Sequence, residues 1–246
     1  MTPAVGTVGV VIPALDEEAS VGAVVRGLAA ALADPSGPVA GGGHEIVVCD
    51  NGSRDATARV AREAGATVVA AARRGYGSAC LAGLAHLRGR AGGPPAFVVF
   101  ADADGSDDPS ELPRLLAPLM AGAADLVIGS RALGRAEPGA LTVPQRFGNR
   151  LAAFLLRALF GATTTDLGPF RAVRWDALER LAMRDPDYGW TVEMQAKAAR
   201  RGLVVVEVPV SYRRRIGRSK ISGTVRGVIG AGTKILATIA RERVVD

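Results

Sequence analysis

The stretch Ala96-Phe-Val-Val-Phe-Ala-Asp-Ala-Asp104 is an uninterrupted apolar run that ends in two acidic residues. An apolar run without alternation is typical of a strand that is buried on both faces, as in a parallel sheet covered by helices. Sheets of this kind bind ligands at the carboxyl ends of their strands. The stretch therefore predicts a buried strand with a polar site at its end.

Similar β-rich runs alternate with helical patterns through the first half of the chain. They predict four more strands, at 8–12, 45–49, 67–70 and 125–128. Helical periodicity separates these strands, and such alternation predicts an α/β fold with a mostly parallel central sheet flanked by helices.

The second half is less regular. Its patterns predict strands at 170–173 and 203–210, and helices at 146–160, 191–201 and 224–239. Residues 131–144 show no regular pattern and are numerous enough to form a lid. We expect a single domain over 1–246, with a division near residue 130 between a regular first half and a less regular second half.

Composition excludes several classes of protein. The chain has 246 residues, of which 48% are apolar and only two are cysteines, so a disordered tail or a disulfide framework is excluded. Aromatic residues make up 4%, which argues against a surface that stacks nucleic-acid bases. No signal-peptide pattern and no long uncharged apolar run occurs, so we expect a cytoplasmic protein without a spanning helix.

Positive charge is concentrated near the carboxyl end. The formal net charge is +6, and nine basic residues against one acid lie between Arg213 and Arg243. Such a local excess favours a phosphate-rich partner or peripheral contact with an anionic membrane, although a solvated helix end is the alternative. The last predicted helix could lie on a membrane, or pack on its own domain or on the second subunit of a homodimer.

Polar clusters follow four of the predicted strands, at 13–18, 50–55, 102–104 and 129–131. Because these strand ends meet at one edge of the sheet, we interpret the clusters as parts of one site. Asp102 and Asp104 supply the oxygen ligands that Mg²⁺ or Mn²⁺ prefers, and these cations bridge diphosphates.

The four clusters together resemble motifs of family 2 glycosyltransferases, which have the GT-A fold. Two later segments, Asp166-Leu-Gly-Pro-Phe-Arg171 and Arg215-Ile-Gly-Arg-Ser-Lys220, resemble elements of the polyprenyl-phosphate mannose and glucose synthases. The chain departs from the family pattern at Asn51, where a second acid is usual. It also departs at Ser106, where the family has a glutamine, and at Gly168-Pro169, where Ser-Gly is usual.

The resemblance implies an inverting, metal-dependent hexosyltransferase. Its donor would be a UDP- or GDP-sugar, and its acceptor a polyprenyl phosphate. One alternative keeps this donor chemistry with a soluble hydroxyl acceptor, such as a small metabolite or an antibiotic precursor. A second alternative is a nucleotide-sugar binding module without catalysis.

The resemblance implies that residues 1–130 form a nucleotide-sugar-binding half and residues 131–246 an acceptor half. It also implies roles for individual residues. The nucleotide sugar would be bound by Pro13, Leu15, Glu17, Asp50, Asn51, Arg74, Gly75, Asp102, Ala103 and Asp104. Asp102 and Asp104 would hold the metal. Cations and a hydroxyl for the leaving diphosphate or an acceptor phosphate would come from Arg131, Arg171, Arg215, Ser219 and Lys220. The alternative for Arg171 is a structural role. Asp166 and Glu193 are the candidates for a catalytic base, which a hydroxyl acceptor needs and a phosphate acceptor does not.

Overall fold

The computed structural model describes residues 6–35, 37, 39, 42–217 and 225–244, and it gives only the backbone of 225–229 and 231. The strands are β1 (Val8–Ala14), β2 (His44–Asp50), β3 (Thr67–Ala70), β4 (Phe97–Phe100), β5 (Leu126–Ala136), β6 (Arg171–Arg174) and β7 (Val205–Tyr212). The helices are α1 (Val21–Ala33), α2 (Thr57–Glu63), α3 (Tyr76–Arg88), α4 (Leu112–Met120), α5 (Val143–Phe160), α6 (Trp175–Leu181), α7 (Trp190–Arg200) and α8 (Val225–Val244). A 3-10 turn at Pro109–Glu111 precedes α4.

The strands form one sheet in the order β3-β2-β1-β4-β6-β5-β7. Only β6 runs antiparallel to its neighbours, and the other paired strands are parallel. The carboxyl ends of six strands therefore lie at one edge of the sheet, together with the beginning of β6. This geometry explains how segments far apart in the chain can form one site.

Apolar side chains cover both faces of the sheet, as the uninterrupted strand sequences require. Helices α1 and α4 pack on one face through residues such as Leu28 and Leu116, and α3, α6 and α7 pack on the other. A third apolar cluster joins α5, α7 and α8 through Leu156, Val192 and Ile239. The described members of this cluster include no strand residue, so α5 and α8 pack on α7 and on each other rather than on the sheet.

The predicted α/β class and mostly parallel sheet are confirmed, while three local expectations need correction. Residues 131–136 continue β5 instead of forming a lid, and Arg135 and Ala136 pair with the end of β7. Helix α6 was not predicted. Helix α5 begins at Val143 because Thr142 and Gln145 form a capping box in front of it.

The expected boundary at residue 130 falls within β5, and β6 and β7 complete the same sheet. Within the described residues, we find no helix with the length and apolarity that a membrane crossing requires.

Candidate active site

A cavity of about 490 Å³ opens at the carboxyl edge of the sheet. Its lining includes Asp102 and Asp104 from the segment after β4 and Arg131 from β5, together with residues from the beginning of α5. Helix α8 contributes Gly232 and Ile235. The cavity therefore brings the acidic pair together with two helices from the second half of the chain.

Asp102 follows β4 and accepts a hydrogen bond from the Tyr76 hydroxyl at 3.1 Å. Its own backbone N–H donates to Asp107 Oδ2 at 3.1 Å, which fixes the turn after the strand. Burial and the negative charge of Asp104 raise the pKa of Asp102 to about 7. A bound cation would stabilise the ionised form of Asp102 beside the negative charge of Asp104.

Asp104 is buried, and its two carboxylate oxygens have different partners. Oδ1 accepts from the Ser106 backbone N–H at 2.9 Å and from the Ser106 hydroxyl at 2.6 Å. Oδ2 lies 3.3 Å from Arg215 Nη1. Ser106, which stands where the family has a glutamine, thus orients Asp104 and leaves one oxygen directed at a cation.

Arg215 connects Asp104 to the end of β1. Its Nη2 lies 2.6 Å from Glu17 Oε1, so one guanidinium bridges the two acids. The surrounding segment pairs with the turn after β4, since Ile216 N–H donates to the Asp104 carbonyl at 2.9 Å. Ser219 and Lys220, the other members of this predicted phosphate loop, lie outside the described residues.

Arg131 holds Asp166 in the floor of the cavity. Its Nε and Nη2 donate to the two carboxylate oxygens at 2.8 and 2.7 Å, and its backbone N–H adds a third bond at 2.6 Å. The guanidinium carbon lies 4.9 Å from the centroid of the Tyr212 ring. Burial alone would lower the pKa of Arg131, but the bonds and charge of Asp166 raise it, so the arginine remains protonated.

The predicted nucleotide-binding residues lie along the ends of β1 and β2. Pro13 and Leu15 are half-buried there, and Asp50, which pairs with Ala14, accepts from the Ser53 backbone N–H at 3.2 Å.

Two further predicted residues, Ala103 after β4 and Arg74 after β3, differ in exposure. Ala103 is buried between the two acids of the pair. Arg74 is exposed and donates to the Gly52 carbonyl at 3.0 Å.

Asn51 and Gly75 shape the turn before α3. The Asn51 amide donates to the Arg73 carbonyl at 2.9 Å and accepts from Gly75 N–H at 2.8 Å. Gly75 has φ +141, and a Cβ there would lie 2.2 Å from the Pro186 carbonyl oxygen. A glycine is required because this turn passes directly against the segment before α7.

Arg171 and Glu193 occupy the interior rather than the cavity wall. Arg171 is fully buried and donates to the backbone carbonyls of Leu167 and Gly168. Glu193 is fully buried as well, and it accepts from Lys197 Nζ at 2.7 Å and from the Asp185 backbone N–H at 2.8 Å. The structure thus brings neither the predicted phosphate ligand Arg171 nor the predicted base Glu193 to the acidic pair.

Several cavity residues were not predicted. Tyr212 ends β7, and Arg146 and Arg150 lie on α5, all lining the cavity. Tyr76 directly follows Arg74 and Gly75, which were predicted to bind the nucleotide sugar, so its position was signalled. The two α5 arginines carry no motif, and only the tertiary placement of the helix reveals them.

A mostly parallel sheet with an acidic pair after β4 and further polar residues after β1 and β2 has the architecture of the GT-A fold of glycosyltransferases. The chain belongs to glycosyl transferase family 2, whose profile matches residues 9–182.

Its relatives include an uncharacterized glycosyltransferase of Mycobacterium tuberculosis, 39% identical over 225 residues, which cover 90% of this chain and 93% of that protein. A dolichyl-phosphate hexose transferase of Haloferax volcanii is 34% identical over 208 residues, covering 82% of this chain and 84% of the relative. Most of the chain is thus similar to both relatives, one an uncharacterized glycosyltransferase and the other a dolichyl-phosphate hexose transferase.

Among solved structures, glucosyl-3-phosphoglycerate synthase from Mycobacterium tuberculosis is similar in fold. Its crystal structure in complex with Mn²⁺, uridine diphosphate and phosphoglyceric acid has a TM-score of 0.74 at 25% identity, covering 98% of this chain and 80% of that chain. The comparisons confirm the predicted family, the GT-A fold and the assignment as a glycosyltransferase.

Proposed function

We propose that this glycosyltransferase moves a hexose from a nucleotide-diphosphate sugar to an acceptor that bears a phosphate group. The observation that carries the proposal is the charge of the cavity, where Arg131, Arg146 and Arg150 line the same space as the acidic pair. Guanidinium groups bind phosphate oxygens through paired hydrogen bonds. An acceptor phosphate would therefore be held beside the anomeric carbon of the donor.

The donor end fits a divalent cation, Mg²⁺ or Mn²⁺. Asp104 directs Oδ2 toward a positive charge, and Asp102 lies beside it with a raised pKa. Within the described ranges, no cluster of three or more acidic, histidine or cysteine side chains is set to hold a metal. The donor diphosphate would complete the coordination, as suits a metal that bridges phosphates. Mn²⁺ and uridine diphosphate in the similar crystal structure support this assignment and favour a UDP-sugar.

The metal, when bound, would neutralise charge on the leaving diphosphate. Arg215 would add a second cation to that group, because its guanidinium already reaches Asp104. Asp50 would accept a hydrogen bond from an N–H of the nucleotide base. Glu17 would accept hydrogen bonds from the ribose hydroxyls. The acceptor oxygen would displace the diphosphate from the opposite face of the sugar, with inversion at the anomeric carbon.

Asp166 would act as a positioning residue in this scheme. Both of its oxygens accept hydrogen bonds from Arg131, so the pair would present a fixed guanidinium face to an acceptor phosphate. An ionised phosphate needs no general base, whereas a hydroxyl nucleophile does. For a hydroxyl acceptor, Asp166 is the carboxylate in the cavity wall that would take up the proton of the attacking hydroxyl.

Two sources of the acceptor phosphate compete. The similar structure that contains phosphoglyceric acid supports a small phosphorylated acceptor with a hydroxyl nucleophile, and the comparisons favour this alternative over the expected polyprenyl phosphate. The polyprenyl phosphate is the second candidate. It is favoured by the relative described as a dolichyl-phosphate hexose transferase and by exposed phenylalanines on α5, beside the cavity arginines.

Transfer assays with matched acceptors test the proposal. The full chain would be incubated with UDP-glucose or GDP-mannose and Mn²⁺, and offered phosphoglycerate, glycerate, a short-chain prenyl phosphate or its free alcohol. We expect turnover with one phosphorylated member and less than about 1% of it with the matched dephosphorylated compound, since lost ion-paired bonds cost several kcal/mol. Equal rates with and without the phosphate would refute the proposal.

The metal assignment has its own control. Asp104→Asn should remove Mn²⁺-dependent binding of UDP, measured by calorimetry, whereas the exposed Asp176→Asn should bind as the parent does. Turnover that persists in EDTA after metal stripping would contradict the assignment.

A further inference from the structure

The outward face of α5 is apolar although it faces solvent. Val143, Phe147 and Phe154 are 78%, 67% and 64% exposed. Their spacings of four and seven residues place them on one side of the helix, which makes about 3.6 residues per turn. Ala152 and Leu156, on the opposite side, are buried against α7 and α8. The exposed side chains, which we call the α5 apolar face, are therefore not needed to attach the helix to the domain.

A row of arginines runs beside this face. Arg146, Arg150 and Arg157 repeat with the same spacings of four and seven residues, and all three are exposed. No acidic residue occurs among the 18 residues of α5. The helix thus has three positive charges next to three apolar side chains, which is the pattern of a helix that lies in an interface with anionic lipid.

We propose that α5 docks the protein onto an anionic phospholipid bilayer. Phenylalanines at the boundary between headgroups and acyl chains would lose their contact with water, and arginines at the rim would meet lipid phosphates. Arg146 and Arg150 also line the cavity, so the docked face would border the entrance to the acceptor site. This proposal concerns where the enzyme works, and it holds for either source of the acceptor phosphate.

A second copy of the chain fits the same face poorly. A two-fold contact between α5 helices would bring two arginine rows together, and no carboxylate on the helix could offset the repulsion. The charge of the face is complementary to an anionic lipid surface instead. The C-terminal helix, for which the sequence left a membrane contact open, has Ile235 half-buried and Ile239 buried in the cluster with α5 and α7.

Vesicle sedimentation of the full chain tests the proposal. We expect binding to vesicles of phosphatidylcholine with phosphatidylglycerol, and weaker binding to phosphatidylcholine alone or in high salt. The double substitution Phe147→Ser/Phe154→Ser should weaken binding at least about tenfold, because both rings leave the interface. Arg157→Glu, at a position outside the cavity wall, should also weaken it roughly tenfold or more.

Matched controls lie at the opposite edge of the sheet. Val204 is 54% exposed and Arg201 is exposed just before β7, so Val204→Ser and Arg201→Glu should bind vesicles as the parent does. A polarity-sensitive fluorophore on Phe154→Cys should shift to the blue on vesicles, and the same label on Val204→Cys should not. The native Cys49 and Cys80 are buried and would not be labelled.

The vesicle-binding results test the proposal without any measurement of sugar transfer. Absence of binding to anionic vesicles at low salt would overturn it. Binding that the α5 substitutions leave unchanged would assign the contact to another surface and would also overturn it. Self-association that Phe147→Ser/Phe154→Ser abolishes in the absence of vesicles would make the face a subunit interface instead.

Discussion

The Arg131 guanidinium donates two hydrogen bonds to the Asp166 carboxylate, from Nε at 2.8 Å and from Nη2 at 2.7 Å. The Arg131 backbone N–H donates a third hydrogen bond to the same carboxylate. The side chains are 12% and 1% exposed, so the pair is almost completely removed from water. The two residues belong to separate sequence motifs, one at the end of the predicted fifth strand and one before β6. Their pairing joins β5 to the segment that leads from α5 back into the sheet.

A double-mutant cycle should show strong coupling between these residues. Arg131→Ala or Asp166→Ala alone should each lower the free energy of unfolding by about 3–5 kcal/mol, because each leaves an uncompensated buried charge. The double variant should lose clearly less than the sum of the two, as measured by urea unfolding. The exposed pair Arg88–Glu179 is the control and should show coupling below about 1 kcal/mol. Additive losses for the buried pair would contradict its assignment as a structural unit of the cavity floor.

A second prediction concerns the close contact between the backbone of α3 at Gly77 and the segment before α7. A Cβ on Gly77 would lie 1.9 Å from the Asp185 carbonyl oxygen, so Gly77→Ala must separate α3 from the segment before α7. We expect a loss of about 3 kcal/mol in unfolding free energy, from overpacking, together with weaker UDP binding because the adjoining turn would shift. Gly230→Ala on α8, where nothing lies within 4 Å, is the control. It should be neutral or stabilise the helix by up to about 1 kcal/mol. A Gly77 variant with unchanged stability and UDP affinity would show that the contact is dispensable.

The strand ends could be predicted from sequence because their chemistry is local. An apolar run followed by acids, as at Asp102 and Asp104, specifies both a buried strand and its polar end. The antiparallel direction of β6 could not be predicted in this way. Arg171–Arg174 has only four residues, and their pattern does not distinguish a parallel from an antiparallel strand. The extension of β5 past residue 130 was missed for a similar reason, because its outer half is mostly exposed and lacks an apolar pattern.

The sequence also could not predict which side chains would pair with each other in the folded protein. Arg131 and Arg171 both occur in recognisable motifs, and nothing in the residues themselves says which of them contacts Asp166. The path of the chain decides it, since Arg131 reaches the carboxylate and Arg171 turns inward to backbone carbonyls. Glu193 shows the same limit, because a helical glutamate can face a cavity or, as here, a buried lysine.

Stability should depend on pH through Glu45 at the start of β2. Partial burial would raise the pKa of Glu45, but hydrogen bonds from His86 and Thr67 and the charge of Arg90 outweigh it and lower the pKa below 4.5. A lowered folded-state pKa stabilises the protein above the unfolded value, and this contribution is lost as the pH falls through the folded value. Glu45→Gln should therefore be less stable than the parent near neutral pH, with the difference shrinking below about pH 4.5. Urea unfolding across pH would check this, with the exposed Glu63→Gln as a control that shows a smaller change. A difference that grows toward acid pH would have the wrong sign.

Removal of Arg215 should have opposite effects on metal binding and on turnover. Its guanidinium lies 3.3 Å from Asp104 Oδ2 and 2.6 Å from Glu17 Oε1, so it neutralises the carboxylate that we assign to the metal. Without nucleotide, Arg215→Ala should bind Mn²⁺ more tightly, by up to about tenfold, because a competing cation is gone. With UDP-sugar it should lower kcat by about 100-fold, because a charge that stabilises the leaving diphosphate is lost.

Arg213→Ala, in the same segment but paired with Asp108, is the matched control and should change neither quantity more than about twofold. Calorimetry with Mn²⁺ alone and steady-state kinetics separate the two effects. Weaker Mn²⁺ binding by Arg215→Ala would show that the arginine supports the metal site instead of competing for it.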